Sequence, residues 1–383
     1  MSSGSFDVVV VGGGPAGGTA AWELSRRGVK VLLLEKERLP RYKVCAGGLT
    51  LKTAELLDFD LSPVFEQEIT KARCTFRGDC PLTIDFREVV GWTVMRDRLD
   101  YLILERAVAA GTSVVDEQRV VDIEISPQGC VAQTEERDYP CSALIGADGA
   151  LGTVSRRADL LREQQFAVAV ETELAVPASY LDSLSGCIHF DFGFVPSGYG
   201  WVFPKEQVLS VGLGTFWGKS GKLRSLLCGF LDALGIPYDR EHLRIGGHPV
   251  PLGGVKRPLQ KGRLLLAGDA AGLAEPMTGE GIFYAVKSGR IAAETVYEAL
   301  QSNQVDLSPY SERINEEITS DLAYARRLSG LLYRFPRLCF HFFVRSPMVQ
   351  RGVADVLYGR SSFKQLYRGL LRNTPKIIVD NLR

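Results

Sequence analysis

Phe6-Asp-Val-Val-Val-Val-Gly-Gly-Gly-Pro-Ala-Gly17 decides how this chain begins to fold. Phe6 to Val11 is a β-branched apolar run of the kind found in strands buried on both faces. A helical stretch from Thr19 to Arg27 and a second apolar run from Val29 to Leu34 follow, ending at Glu35. Together they predict a βαβ unit. Gly12, Gly14 and Gly17 fit G-x-G-x-x-G, with Pro15 and Ala16 completing the turn. The first glycine permits the tight turn, the second admits a pyrophosphate against the backbone, and the third lets helix and strand pack closely. The helix amino terminus then faces phosphate. Glu35, at the tip of the second strand, would accept hydrogen bonds from an adenosine ribose and repel a 2′-phosphate, so FAD or NAD is expected and NADP is not. An ordinary glycine-rich turn would not need the preceding strand, the following helix and the terminal acid together.

The rest of the composition narrows the class. Of 383 residues 45% are hydrophobic, 23% charged and 9% aromatic, which excludes a disordered or fibrous chain and suggests two to three domains. Lys+Arg and Asp+Glu balance at 45 each, so there is no global electrostatic reason to bind nucleic acid. The balance hides an asymmetry: residues 322–383 hold twelve Lys/Arg against two Asp/Glu. The eight cysteines form no CxxC and the four histidines no HxxxH, so no metal site is expected. Met1 to Ser5 carries no basic leader, and no apolar run approaches the roughly 20 residues that span a bilayer. The expectation is a cytoplasmic monomer with reduced thiols.

Two later motifs decide the cofactor. Ala143-Leu-Ile-Gly-Ala-Asp148-Gly149 and Gly262-Arg-Leu-Leu-Leu-Ala-Gly268-Asp269 each read as a short apolar strand with a carboxylate at its carboxyl end, where ligands of open α/β sheets sit. Alone, either Asp could simply make a turn. Pro276-Met-Thr-Gly279-Glu-Gly281-Ile282 then opens a helix to about Ala299. With Val94-Met-Arg96-Asp-Arg-Leu99-Asp100, these motifs resemble the FAD-dependent oxidoreductases related to para-hydroxybenzoate hydroxylase, over roughly residues 5 to 300. The resemblance implies FAD as cofactor, its pyrophosphate on the glycine turn, its adenosine ribose on Glu35, and contacts from Arg96 and Asp269. It also implies cofactor contacts at Lys36, Cys45, Ala46, Gly47, Val120, Asp148, Gly149, Gly279, Gly281 and Ile282. There is no second G-x-G-x-x-G, and no NAD(P)H site is located.

Two segments point to a branch of that superfamily. Pro40-Arg-Tyr42-Lys-Val-Cys45-Ala-Gly47-Gly48 and Tyr199-Gly-Trp201-Val-Phe203-Pro204, with Gly212 and Gly214 beyond, are similar to the signatures PxxYxxCGG and YxWxFPx(7-8)GxG of geranylgeranyl reductases. The second matches fully; in the first, Ala46 replaces a frequent Gly and Val44 a frequent Trp, which blurs the substrate. Tyr199, Trp201 and Phe203 alternate, so they share one face of a strand. With Phe216 they would wall a pocket for a long apolar chain, although aromatic residues in strands are more often plain core. By resemblance Cys45, Gly47 and Gly48, with Tyr199 and Trp201, belong to the catalytic site; on its own Cys45 would read as a small buried hydrophobe. His189 and His248 are further candidate proton sources, each also readable as a core histidine.

The resemblance implies a reductase that saturates C=C bonds of a geranylgeranyl or other polyprenyl group on a lipid, quinone or pigment precursor, with NADPH or reduced ferredoxin as electron donor. The rival readings are an FAD monooxygenase (hydroxylase, epoxidase or halogenase) on an apolar substrate, and a non-catalytic flavin-binding membrane adaptor. The expected fold is α/β: a Rossmann-type FAD domain (1–70, 92–165, 245–305), an antiparallel substrate sheet (71–91, 166–244, with its strands in 71–91 and 166–217), and a helical basic region (306–383). Within residues 322–383, arginines interleave with Leu331, Leu332, Phe335, Phe340, Phe342 and Phe343. Two readings stand for this tail, peripheral membrane contact or a cap over the FAD domain with a solvated basic face.

Overall fold

The computed structural model describes residues 6–160, 164–216, 221–302 and 305–382, and only the backbone of 374–382. Met1 to Ser5, Trp217 at the end of the expected strand region, and Arg383 lie outside the described residues. Two compact units result, one of residues 1–42, 97–165 and 251–323, the other of 43–96, 166–250 and 324–383. Residues 43–70, 92–96 and 245–250, assigned from sequence to the first domain, thus pack in the second unit, and the expected tail region divides, 306–323 in the first unit and 324–383 in the second.

The first unit is built on a sheet ordered Gln260–Lys261, Leu264–Leu266, Asp138–Gly146, Phe6–Val11, Val31–Leu34, Ser113–Val115. Five of these six run parallel, with Phe6–Val11 at the centre and Val9 standing opposite both Leu144 and Leu32. Ser113–Val115 extends the parallel set beyond Val31–Leu34. Val8, Val9, Val10, Leu33, Leu144 and Leu265 are wholly inaccessible, as strands covered on both faces require. The Asp138–Gly146 strand starts five residues before the expected apolar run because Asp138–Cys141 pairs with Cys130–Gln133 in a hairpin.

The motif helix runs Pro15–Ser25, earlier than expected at both ends. Proline at its first turn loses no hydrogen bond, and Gly14 caps it from extended backbone. At the other end the Val29 amide donates to Leu24 O and the Gly28 amide to Ser25 O, a closure that consumes the predicted start of the second strand, which begins at Val31. Gly12 adopts φ +107°, and a Cβ on Gly17 would stand 1.9 Å from Gly12 O. A Cβ on Gly289, in the helix Ile282–Leu300, would stand 2.4 Å from Ala16 O. The two helices therefore touch backbone to backbone.

In the second unit a seven-stranded sheet is ordered Gly246–Pro251, Phe166–Ala175, Val208–Thr215, Gly198–Pro204, Cys187–Phe192, Lys71–Phe76, Asp79–Asp85. It was expected to be antiparallel throughout, but Cys187–Phe192 and Lys71–Phe76 pair in parallel, His189 opposite Arg73. That pairing joins the early hairpin to the later meander, two pieces more than 100 residues apart in the chain. One face is covered by the helix Leu223–Leu234 over Val170, Val202, Val211 and Leu213. A small sheet of Gly48–Thr50, Gly91–Val94 and Phe65–Ile69 completes the unit. In the tail, Tyr333 stacks on Phe216, Phe340 lies against Phe76 and Phe192, and Tyr358 sets its ring edge-on to Phe86.

Gly17→Ala should be disruptive, because its methyl meets a backbone carbonyl that no rotamer change can move. The expected result is a melting temperature lowered by several degrees and protein purified without yellow colour, read by thermal denaturation and visible absorbance.

Candidate flavin and substrate sites

Three predicted cofactor motifs converge on Ala16–Gly17. Gly17 abuts the Gly12 turn and Ala147, the neighbour of Asp148, while a Cβ on Gly268, beside Asp269, would meet the Ala16 methyl at 2.8 Å. Gly268 holds φ +61° and its amide donates to Ser288 Oγ at 2.9 Å. A Cβ on Gly281 would lie 3.7 Å from Asp269 Oδ1, so that carboxylate stands at the start of the Ile282–Leu300 helix.

The head of the motif helix has no side-chain cap, and the first atom a Cβ on Gly14 would approach is Arg41 Nη2, at 3.6 Å. Uncapped amides, a helix dipole and a guanidinium thus face one spot. Arg41 is held there by Glu35, 3.4 Å from its Nε, and by Asp100, 3.1 Å from its Nη1. Glu35 also accepts from the Gly13 amide at 2.7 Å and the Glu37 amide at 3.1 Å. A donor-rich cradle beside a fixed carboxylate fits the diphosphate and ribose of a dinucleotide.

The remaining predicted contacts divide. Asp148 Oδ2 accepts from the Val154 amide at 3.0 Å and starts the Thr153–Ala158 helix, while its Oδ1 has no hydrogen-bond partner among the described residues. Burial pushes this carboxyl up to about 6. Gly149 takes φ +84° in the same turn, as Gly279 takes φ +77° in the loop before the second helix. Ile282 is buried as the first residue of that helix, and Val120 is buried as the first of its strand. Lys36 points to solvent beside Glu37. Arg96 heads the helix Arg96–Ala109 directly after the strand Gly91–Val94.

In the second unit the two signature segments meet. Tyr199, Trp201 and Phe203 do share one face; Trp201, Phe203 and Phe216 are buried and Tyr199 is half-buried. Tyr199 contacts Phe216, Trp201, Phe190 and Phe192 at ring distances of 5.6 to 6.2 Å. The row is possible because of the adjacent strand: a Cβ on Gly212 would stand 2.1 Å from the Trp201 indole, and Gly214 borders Phe216 and Trp201. Gly47, at φ +74°, presses on Val94 O, and a Cβ on Gly48 would touch Phe203 Cε2 at 3.1 Å. Cys45, half-buried, has its Sγ 3.5 Å from the Gly47 amide, and Ala46 lies between them.

Neither candidate histidine is an idle proton source. His189 faces away from the aromatic row and contacts Thr75 Oγ1 at 2.8 Å, while Thr75 donates to Asp191 Oδ2 at 2.6 Å. Burial, with Arg73 nearby, lowers its pKa to about 4, so it is a neutral core histidine at ordinary pH. His248 accepts from Lys43 Nζ at 2.6 Å.

A family model described as an FAD binding domain matches residues 5–183. Digeranylgeranylglycerophospholipid reductase 1 of Methanopyrus kandleri is 32% identical over 85% of this chain and 90% of its own length. The chloroplastic geranylgeranyl diphosphate reductase of Nicotiana tabacum is 30% identical over 80% of this chain and 70% of its own. The chain belongs to the geranylgeranyl reductase family. It is an FAD-dependent oxidoreductase. A solved structure of a geranylgeranyl bacteriochlorophyll reductase-like protein from Thermoplasma acidophilum shares the fold, with TM-score 0.77 at 23% identity over 98% of both chains.

Sequence reasoning overlooked several residues of these sites. Arg41 lies inside the first signature segment, between Pro40 and Tyr42, at a position that the signature leaves open. Glu171 and Glu173 are charges inside an apolar strand, a signal visible in Val168-Ala-Val-Glu171-Thr-Glu173, and Lys205 is a charge directly after the apolar strand ending at Pro204. Glu275 was likewise passed over. Fully buried, it accepts from the Met277 amide, the Thr278 amide and Thr278 Oγ1 at 2.5 to 2.7 Å, and so shapes the Gly279–Gly281 loop.

Burial pushes the Glu275 carboxyl from 4.5 up to about 7. A carboxyl whose pKa is higher folded than unfolded favours the folded state below the unfolded value and loses that contribution as pH rises through the folded one. Wild-type stability relative to Glu275→Gln should therefore fall by roughly 3 kcal/mol between about pH 4.5 and 7 and stay level above. Parallel urea titrations of both proteins across that range check it.

Proposed function

We propose that this enzyme saturates carbon–carbon double bonds of a geranylgeranyl or related polyprenyl group carried on a lipid, quinone or pigment precursor. The observation that carries the reading is the meeting of the Cys45–Gly48 loop with Phe203, at the end of a row of aromatic rings. Bound FAD, reduced by NADPH or reduced ferredoxin, supplies the hydride. An isolated alkene is a poor hydride acceptor, so the protein's contribution is alignment and exclusion of water. Tyr199, Trp201, Phe203 and Phe216 take that task, offering flat apolar surface to a chain with nothing to hydrogen-bond. Gly47 and Gly48 leave the backbone bare for a close approach to the flavin ring, and Cys45 beside them serves as proton donor or gate for the alkene. Gly12, Gly14 and Arg41 hold the diphosphate, and Glu35 holds the ribose.

The protein should be photoreduced without oxygen and mixed with a geranylgeranyl lipid, following flavin absorbance and product mass. Reoxidation with a gain of two hydrogens per double bond is expected, and Trp201→Ala should slow it at least tenfold. A flavin that stays reduced until oxygen is admitted, with an oxygenated product, would replace this reading by a monooxygenase.

The tail supports the same reading. No described helix is long and apolar enough to cross a membrane. Leu331, in the helix Ser320–Arg334, Phe335, at the break after it, and Leu338, in the helix Pro336–Arg345, are nonetheless exposed by about half, among the exposed Arg327, Arg334, Arg337 and Arg345. No acid occurs from Leu322 to Gln350. Each arginine near an anionic leaflet adds about 1 kcal/mol, and apolar side chains add insertion, so this strip is proposed to rest on a lipid surface. Wild type should sediment with vesicles containing phosphatidylglycerol and release at high salt. A Leu331→Ser, Phe335→Ser, Leu338→Ser variant should bind at least tenfold more weakly while keeping its flavin.

A further inference from the structure

Glu171 sits in the strand Phe166–Ala175, 1% exposed, where its neighbours on either side along the chain are Val170 and Thr172. It stands in register with Gly212, which in turn opposes Trp201, so carboxylate, glycine and indole form one row across three strands. One of its oxygens, Oε1, accepts from the backbone amide of Cys45 at 3.0 Å. The other, Oε2, accepts from Ser210 Oγ at 3.3 Å, and Ser210 Oγ is itself 3.4 Å from Trp201 Nε1. A buried carboxylate is costly unless its oxygens are satisfied, and here one oxygen is spent on each of the two signature segments. Leucine or valine would suit this apolar position better for stability alone.

We propose that Glu171 is a positioning residue that ties the Cys45 loop to the aromatic strand and so fixes where the Cys45 thiol and the Gly47–Gly48 backbone stand. A second tie runs in parallel. Lys205, following Pro204 in the second signature and also 1% exposed, donates to Glu173 Oε1 at 2.7 Å, and its Cε lies 3.4 Å from where a Cβ on Gly47 would be. Its carbonyl accepts from Gln67 Nε2 at 3.1 Å. The loop is thus held at Cys45 by an amide–carboxylate bond and flanked at Gly47 by the Lys205–Glu173 ion pair, and neither tie requires the Cys45 side chain. The consequence for alkene reduction rests on the proposed function; the geometric role of Glu171 does not.

Glu171→Ala, Glu171→Gln and Glu171→Leu should each be compared with wild type in two measurements. The first, independent of any substrate, is the rate at which iodoacetamide alkylates Cys45, read by peptide mass against Cys80 as an exposed internal standard. The second is anaerobic reoxidation of the photoreduced flavin by a geranylgeranyl lipid. In Glu171→Ala and in the volume-filling Glu171→Leu, Cys45 alkylation should change at least fivefold while Cys80 does not, and reoxidation should slow at least tenfold with flavin content retained. Glu171→Gln, whose amide oxygen can still accept from the Cys45 amide, should stay within threefold of wild type in both. Unchanged Cys45 alkylation in both Ala and Leu variants overturns the proposal, as does a Gln variant as impaired as they are. Should the Ala variant not fold, the Leu variant decides. If alkylation responds as expected but wild type never reduces the lipid, the substrate reading falls and the positioning role stands.

Discussion

The cofactor half of this protein depends on the absence of clearance around two residues. Ala16 and Gly17 touch the glycine turn, the strand end before Asp148, the bend before Asp269 and the helix that follows Gly281, three of these through contacts that no side chain could enter. Close packing of this kind transmits position rigidly, since a shift of a few tenths of an ångström at one member displaces the others. The head of the motif helix is aimed by that contact, and Glu35 and Arg41 are then fixed to it by hydrogen bonds and an ion pair. Segments separated by more than 250 residues in the chain are thereby brought to one point.

What the sequence disclosed and what it withheld follow from the range of the forces involved. The βαβ start, the alternating aromatic strand and the carboxylates at strand ends were legible because each is encoded in residues a few positions apart. The helix start was missed by a turn and its end by half a turn, because Pro15 and the Gly28 closure act on single hydrogen bonds. The parallel pairing of Cys187–Phe192 with Lys71–Phe76 was illegible, since alternation states which face a residue takes and says nothing of its neighbour strand. The reach of Glu171 to Cys45 spans 126 positions and that of Arg41 to Asp100 spans 59, so no local pattern announces either. Asp148 was found as a strand-end carboxylate, but half of its bonding capacity serves the helix beginning at Thr153.

The two faces of the seven-stranded sheet show how polarity is apportioned. On the face covered by Leu223–Leu234, aliphatic residues pack and the polar set of Thr75, His189 and Asp191 is joined by its own hydrogen bonds. On the other, Glu171 is buried and Glu173 half-buried, with the buried Lys205 joining them from just beyond the strand end. Charge is placed there at a cost in desolvation that an apolar sheet face would avoid. Its position beside both signature segments ties that cost to the geometry of the site.

Trp201 and Gly212 occupy one volume between them, the indole lying where any side chain on the neighbouring strand would be. For selection they are a single character written at two positions: enlarging residue 212 is tolerable only if residue 201 shrinks, and shrinking residue 201 alone leaves a void that a longer or branched chain could fill. Divergence of chain-length preference within such a sheet would therefore be expected to proceed through paired exchanges at these two sites.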